Sequence, residues 1–382
     1  MASDEAANAK CVEFGSVVCV ARAWAVPSVG LEPFLVVVVG GSIDLTGTNL
    51  TLVPDVLSEA IIKTPPALDK NGRPYPATWS WEQETEARGL FGGSKKYGTY
   101  LRNGSGVRVY IINSAVNCTV VGGWCATADL GWGSGSAGDK RRLGKNMGGN
   151  GTKCALAARA AASSVSIVSV PTLPSSLARL LVSLSVVGGL HANAVAAGEQ
   201  SRAVAVLSVV APIVDMTVAP LMVMVERFLV RLRAAGVVSV AGAGNNARNA
   251  CYTSPGGVSH TALVVAAATY RHGKLARAAD SNHGECCDLF GPSDSTDTAA
   301  GFVAGVAAGI CGDPNEPGPA WLVSDTILTN GTVTTRITNR LGTPNVLVHA
   351  PLKFHNPAII EPDSEWIPIG LGLCLILAAI FI

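Results

Sequence analysis

The sequence predicts an α/β protein in three layers, a mostly parallel sheet covered by helices on both faces. Two observations carry this: Val- and Ile-rich runs of strand length alternate with Ala- and Leu-rich helical runs, and the composition is 48% hydrophobic but only 14% charged. Alternation of that kind builds parallel β-α-β units, and strands buried on both faces read as near-continuous apolar runs. A chain of 382 residues has room for one large core with attachments. A formal net charge of +1 gives no basic footprint for nucleic acid, and the cluster Lys140, Arg141, Arg142 and Lys145 reads as a solvated loop.

In chain order, residues 1–33 form an N-terminal segment whose apolar stretch is interrupted by Glu13 and Arg22, a poor signal peptide. Residues 34–63 read as a Val-rich strand, a turn and a short helix, and residues 64–78, with Pro65, Pro66, Pro74 and Pro76, as a linker. Residues 107–112 form a buried strand and residues 152–162 an Ala-rich helix. Residues 164–215 alternate strand and helix without definable borders. An amphipathic helix over 226–235, a strand over 237–241 and a small-residue helix over 298–310 complete the main domain.

A juxtamembrane linker over 352–365 leads to residues 366–382, 17 uncharged and almost wholly apolar positions at the short end of what spans a bilayer. A membrane anchor is expected, with Trp366 at the interface; a buried C-terminal helix and a removable lipid-anchor signal are the alternatives. Five N-x-Ser/Thr sequons, at Asn49, Asn103, Asn117, Asn150 and Asn330, and ten cysteines favour the lumenal or extracellular side for the domain.

Residues 231–255, RLRAAGVVSVAGAGNNARNACYTSP, resemble the subtilase segment in which a helix leads to a strand and an A-A-G-N turn. CCDLFGP at 286–292 resembles the C-V-D-L-F-A-P segment of the proteinase K branch, and LGTPNVLVHAP at 341–351 the L-T-P-N-L-V-A segment of the proprotein convertases. The resemblance spans roughly residues 80–351 and implies a subtilisin-like serine protease homologue. Residues 34–63 resemble the latter half of that family's inhibitory prodomain, so 34–78 is expected to be a prodomain remnant and its linker.

The same resemblance implies a degenerate catalytic triad. VYIINSAVN stands for the strand ending in V-I-D-T-G, which puts Asn113 at the aspartate position. GNGTKCAL stands for G-H-G-T-H-C-A-G, with Asn150 at the base position. STDTAAGFVAG stands for G-T-S-M-A-T-P-H-V-A-G, with Asp297 at the serine position, and Asn245 holds the oxyanion-hole place. An amide has no useful basicity, and a carboxylate is a weak nucleophile toward an amide carbonyl. The implied activity is therefore that of a pseudoprotease binding a protein or peptide partner, without cofactor or metal. An active endopeptidase using Ser295 and a structural surface glycoprotein are the alternatives. Asp297 is expected to gain from the N-terminus of the helix it opens.

Substrate pairing in the family uses an S-L-G-G strand edge, and the matching place is taken as residues 216–220, MTVAP. Cys251 and Cys286 match a family disulfide, and Cys154 a cysteine commonly free. Cys118 and Cys125 are a candidate pair; Cys11, Cys19, Cys287, Cys311 and Cys374 stay unassigned. The six histidines, His191, His260, His272, His283, His349 and His355, are read as surface or loop residues.

Overall fold

The computed structural model describes residues 17–23, 34–39, 98–100, 102–128, 149–172, 176–199, 201–208, 210–213, 219–257, 259–271, 274–315, 318–330, 337–350 and 352–354. The expected anchor at 366–382, the linker at 64–78, residues 355–365, the helix expected within 34–63 and the sequon at Asn49 lie outside them, whereas residues 352–354, read as the start of a linker, form a strand.

The described residues begin with an antiparallel pair of strands, β1 (Val17–Ala23) and β2 (Phe34–Val39). The Val-rich strand is where the sequence puts it, but its partner falls inside the stretch read as an N-terminal segment. Seven residues containing Arg22 carry too little periodicity to declare a strand alone. A second small ladder pairs β3 (Gly98–Tyr100) with β14 (Leu352–Phe354).

Between these lies the main sheet. Its strands are β4 (Arg108–Asn113), β5 (Cys125–Thr127), β6 (Ser166–Pro171), β7 (Ala203–Leu207), β9 (Val237–Gly242), β11 (Leu263–Arg271), β12 (Lys274–Arg277) and β13 (Leu289–Pro292). They lie in the order β12-β11-β9-β7-β4-β6-β5, with β13 also pairing β11, and every pairing but β11 with β12 is parallel. From β4 the chain builds β5 and β6 on one side, then returns to lay β7 on the other. A crevice outside the carboxyl ends of β4 and β7 is thus at the topological switch point, the usual ligand position in such sheets. β8 (Ala211–Pro212) and β10 (Thr253–Ser254) pair antiparallel beyond the end of β7.

Six described helices complete the domain: α1 (Cys118–Val121), α2 (Asn150–Ala161), α3 (Leu177–Ala196), α4 (Ala219–Ala234), α5 (Thr296–Cys311) and α6 (Ala320–Thr329). Side chains alternate across β4. Val109 and Ile111 enter the core with α2 and α5, whereas Tyr110 and Ile112 enter the one with α3 and α4. The first core is packed with Ala and Gly, and a Cβ on Gly301 or Gly305 would strike the carbonyl oxygens of Cys154 and Ala158 on α2. The second is packed with larger side chains such as Leu180, Leu184, Phe228 and Leu229. α3 is long and apolar enough to cross a membrane, but most of it is buried in this second core.

Two expectations are corrected. Ala219 and Pro220 are the first residues of α4, not a strand edge; the missing N–H of a proline costs nothing in a first helical turn. Residues 216–218 lie outside the described residues. His191 is not a surface residue: it is buried in α3, where its Nε2 lies 3.0 Å from the carbonyl of Ala235, and burial lowers its pKa.

Candidate functional site

The rows of side chains that build the α2–α5 face end in polar groups. On β4 the row runs Val109, Ile111, Asn113, and on β7 it runs Val204, Val206 and, just past the strand, Ser208; the apolar members belong to the same core. On β9 the row ends at Gly242, against which the backbone of Thr296 packs. This open row admits the amino end of α5 over the ends of the strands.

Asp297 is the second residue of α5 and is 2% exposed. Its Oδ2 accepts hydrogen bonds from Nδ2 of Asn150, the first residue of α2 (3.2 Å), and from Nδ2 of Asn245 (3.3 Å). Asn245 follows Gly244, whose φ of +108° turns the chain sharply off β9. Its Oδ1 accepts from the backbone N–H of Thr296 (2.8 Å) and from Thr296 Oγ1 (3.1 Å), while Thr296 Oγ1 accepts from Gly244 N (3.1 Å). The Asn245 side chain therefore serves the amino end of α5 with its oxygen and the Asp297 carboxyl with its nitrogen.

Asn113 ends β4 beside this cluster without joining it. Its Oδ1 accepts from the next backbone N–H, that of Ser114, at 2.6 Å, and its Nδ2 is buried without a partner. The link to α2 passes through Ser114, whose Oγ accepts from Gly151 N (2.9 Å), and through Thr152, whose Oγ1 accepts from Asn117 N (2.9 Å). The structure thus joins Asn150, Asp297 and Asn245 through hydrogen bonds and leaves Asn113 outside that set.

Burial raises the Asp297 carboxyl to about 6. The Ser208 hydroxyl, the Asn245 amide, the Lys153 charge and the Ser295 hydroxyl pull it back down, but less strongly. The Ser208 hydroxyl is buried without a hydrogen-bond partner, so its influence is that of a nearby dipole. The expected gain from the helix N-terminus is outweighed here, because the cost of an ion out of water exceeds what one helix end returns. The Cys154 thiol, buried under the same cluster, is pushed up by burial and by the Asp297 charge.

A disulfide joins Cys251 and Cys286, tying the loop after Asn245 to the segment before β13, and a second joins Cys118 and Cys125. Cys154, Cys287 and Cys311 are buried and outside these disulfides. Among the described residues, no three His, Cys, Asp or Glu side chains gather as a metal site. Sequence reasoning missed Ser208 and Thr296; the alternation along β7 points to the first, and no sequence signal marks the second.

No model of a known protein family matches the chain. Its backbone is similar to a crystal structure of a cold adapted subtilisin-like serine proteinase, with 21% identity and a TM-score of 0.51 over 68% of this chain and 93% of that one. The fold is subtilisin-like. A lanthipeptide protease has the same likeness, with 15% identity and a TM-score of 0.50 over 72% of this chain and 92% of its own. This subtilisin-like fold presents two amides and a carboxyl at the ends of its central strands. Such a group can donate, accept and hold one proton. It has no imidazole to take a proton from a hydroxyl.

Proposed function

We propose that this protein is a catalytically inactive subtilisin-like protease homologue of the proteinase K and proprotein convertase branch, attached to a membrane by residues 366–382 and acting by binding another protein. The observation that carries the reading is the hydrogen-bonded set Asn150, Asp297 and Asn245. In a working site of this fold a base would draw a proton from a nucleophile and a free amide would await the oxyanion. Here the amide of Asn245 is committed to a carboxyl group, and the group beside that carboxyl is another amide. In subtilisin itself, loss of the catalytic unit lowers turnover about a millionfold, leaving only what the oxyanion hole and binding supply.

Two features support attachment on the secretory side: the disulfides and the sequons. Of the four sequons described, Asn103 and Asn330 are exposed, whereas Asn117 caps α1 and Asn150 is bonded to Asp297. The surface for a glycan is accordingly at the first two.

Treating the purified full chain with a fluorophosphonate probe and with casein tests the reading. No serine is labelled and no casein is cut if it holds; labelling of Ser295 with casein turnover overturns it. A crosslinking pull-down from membranes that recovers one discrete partner supports the binding role, and heavy glycan at Asn103 and Asn330 with no discrete partner favours a structural glycoprotein instead.

A further inference from the structure

Two polar groups beside the candidate site stand without a partner. The Nδ2 of Asn113 and the Oγ of Ser208 are shut off from solvent and make no hydrogen bond, in residues 6% and 8% exposed. They are neighbours. Ile112 pairs with Leu207 across β4 and β7, the Ser208 N–H donates to the Ile112 carbonyl at 3.1 Å, and the alternation along both strands turns the two side chains to the α2–α5 face. A buried polar group left unpaired costs free energy, so two of them side by side call for an acceptor. Solvent touches neither atom, which makes an acceptor inside the fold the natural one.

Asp297 supplies it. Asn150 and Asn245 both donate to its Oδ2, which leaves Oδ1 for the proton of the neutral acid or for further donors to the anion. The Ser208 hydroxyl lies close enough to favour both the Asp297 anion and the Cys154 thiolate, and a hydroxyl proton turns to suit its acceptor. The side chain of Asn113 bonds only to the N–H of the next residue, while its backbone carbonyl takes the N–H and the hydroxyl of Thr172. The amide can therefore turn while β4 stays in place.

Few charges compete for these donors. Among the described residues, α2 brings the Lys153 ammonium and the buried Cys154 thiol to Asp297, and β4, β7 and the turn after β9 bring only Asn113, Ser208 and Asn245. On the approach to α5, the Asp294 carboxylate lies beside the Ser293 hydroxyl. A neutral carboxyl is served by the two amides it already has. An ionised one, held out of water, gains from every further donor within reach.

We infer that the site is a one-proton switch: ionisation of Asp297 recruits the Ser208 hydroxyl and the Asn113 amide to its carboxylate, tying the ends of β4 and β7 to the first turn of α5, and protonation releases them. α2 and the turn after β9 are tied in both states, through Asn150 and Asn245. The part-exposed surface at Asn150 and Ser295 thus rests on a looser base in acid and a tighter one at neutral pH. The switch belongs to this chain alone and stands whether or not a partner binds there.

The test follows the Asp297 carboxyl by 13C NMR in the full chain labelled at aspartate Cγ, with Asp297→Asn identifying its signal. Recruitment predicts that Ser208→Ala and Asn113→Leu each lower its acid dissociation constant about tenfold, moving the midpoint up by about one pH unit, because each removes a hydrogen bond to an ion. Ser208→Ala should cost little stability at pH 4, where the hydroxyl has no bond to lose, and a cost should appear as pH rises through the Asp297 midpoint. A purely structural role would leave the midpoint in place. In the parent itself, the Asn113 side-chain amide proton should move downfield with the same midpoint, a readout that needs no substitution to fold. Unchanged midpoints in the variants, an Asn113 amide that ignores the titration, or an Asp297 signal that does not titrate between pH 4 and 8 each overturn the switch, and none of these outcomes bears on whether the protein cuts casein or binds a partner.

Discussion

The two faces of the central sheet are packed in opposite ways. Over α2 and α5 the contact is made by Ala and Gly, and Gly301 and Gly305 lie directly against carbonyl oxygens of Cys154 and Ala158. Over α3 and α4 it is made by long aliphatic side chains and Phe228. A small-residue contact brings two backbones together with almost no side-chain freedom between them, so α2 and α5 hold one relative position. Both helices begin at the candidate site, Asn150 on one and Asp297 on the other. The rigid face is therefore the one that sets a distance across the site, and the other face is filled by longer side chains.

The strongest way to break this contrast is to force the close face apart. Gly305→Val drives methyl groups into the Ala158 carbonyl, a backbone atom that has no rotamer to escape into, and is expected to cost upwards of about 4 kcal/mol, a size reserved for outright steric failure in a core. Near-ultraviolet circular dichroism should show no native signal; a folded variant with its thermal midpoint intact would refute the close-packing account. On the opposite face, Leu184→Ala removes a wholly buried side chain and is expected to cost about 2–5 kcal/mol while the protein still folds. Urea titration gives the loss. The titration of Asp297 should stay where it is in that variant, because α3 does not carry the site.

A gentler change sharpens the contrast at the site itself. With its folded pKa raised from 3.8 to about 6, Asp297 binds its proton more tightly in the folded protein than in the unfolded chain. Its contribution is fully present below pH 4 and is lost as pH rises through 6. Asp297→Asn keeps an oxygen to accept from Asn150 and Asn245 but carries no charge. The variant should gain up to roughly 3 kcal/mol over the parent at pH 7.5 and lose the parent's decline in stability between pH 4 and 6. Thermal midpoints across that range decide the matter; a parent whose midpoint climbs through the window contradicts a buried, destabilised carboxylate.

These contrasts also mark how far the sequence speaks for itself. The apolar β4 and β9 and the small-residue α5 are readable because burial on both faces leaves a continuous apolar run and a dense Ala-Gly helix leaves a distinctive one. α3 is not delimited by its pattern, since Ser183, Ser185, Gly188 and Gly189 interrupt it although the first two are buried. The start of α4 misleads because Pro220 signals a break when it stands alone and a first turn when a helix follows. At the site, the residue types at Asn150, Asn245 and Asp297 can be read by position in motifs. Their hydrogen bonds cannot: Asn150 and Asp297 are 147 positions apart, and the pairing exists only because two helices meet at Gly301 and Gly305. The raised carboxyl is likewise a property of burial, which no spacing reveals.

The short ladder between Gly98–Tyr100 and Leu352–Phe354 makes the domain a clasped ring. Strands separated by more than two hundred residues must find each other before it closes, and loop entropy grows only by about 0.6 kcal/mol for each doubling of length, so the clasp delays completion more than it taxes the finished fold. During synthesis β3 waits unpaired until β14, the last of the described strands, emerges. Truncation at either rim of the ring should therefore harm maturation and yield in cells before it harms the core.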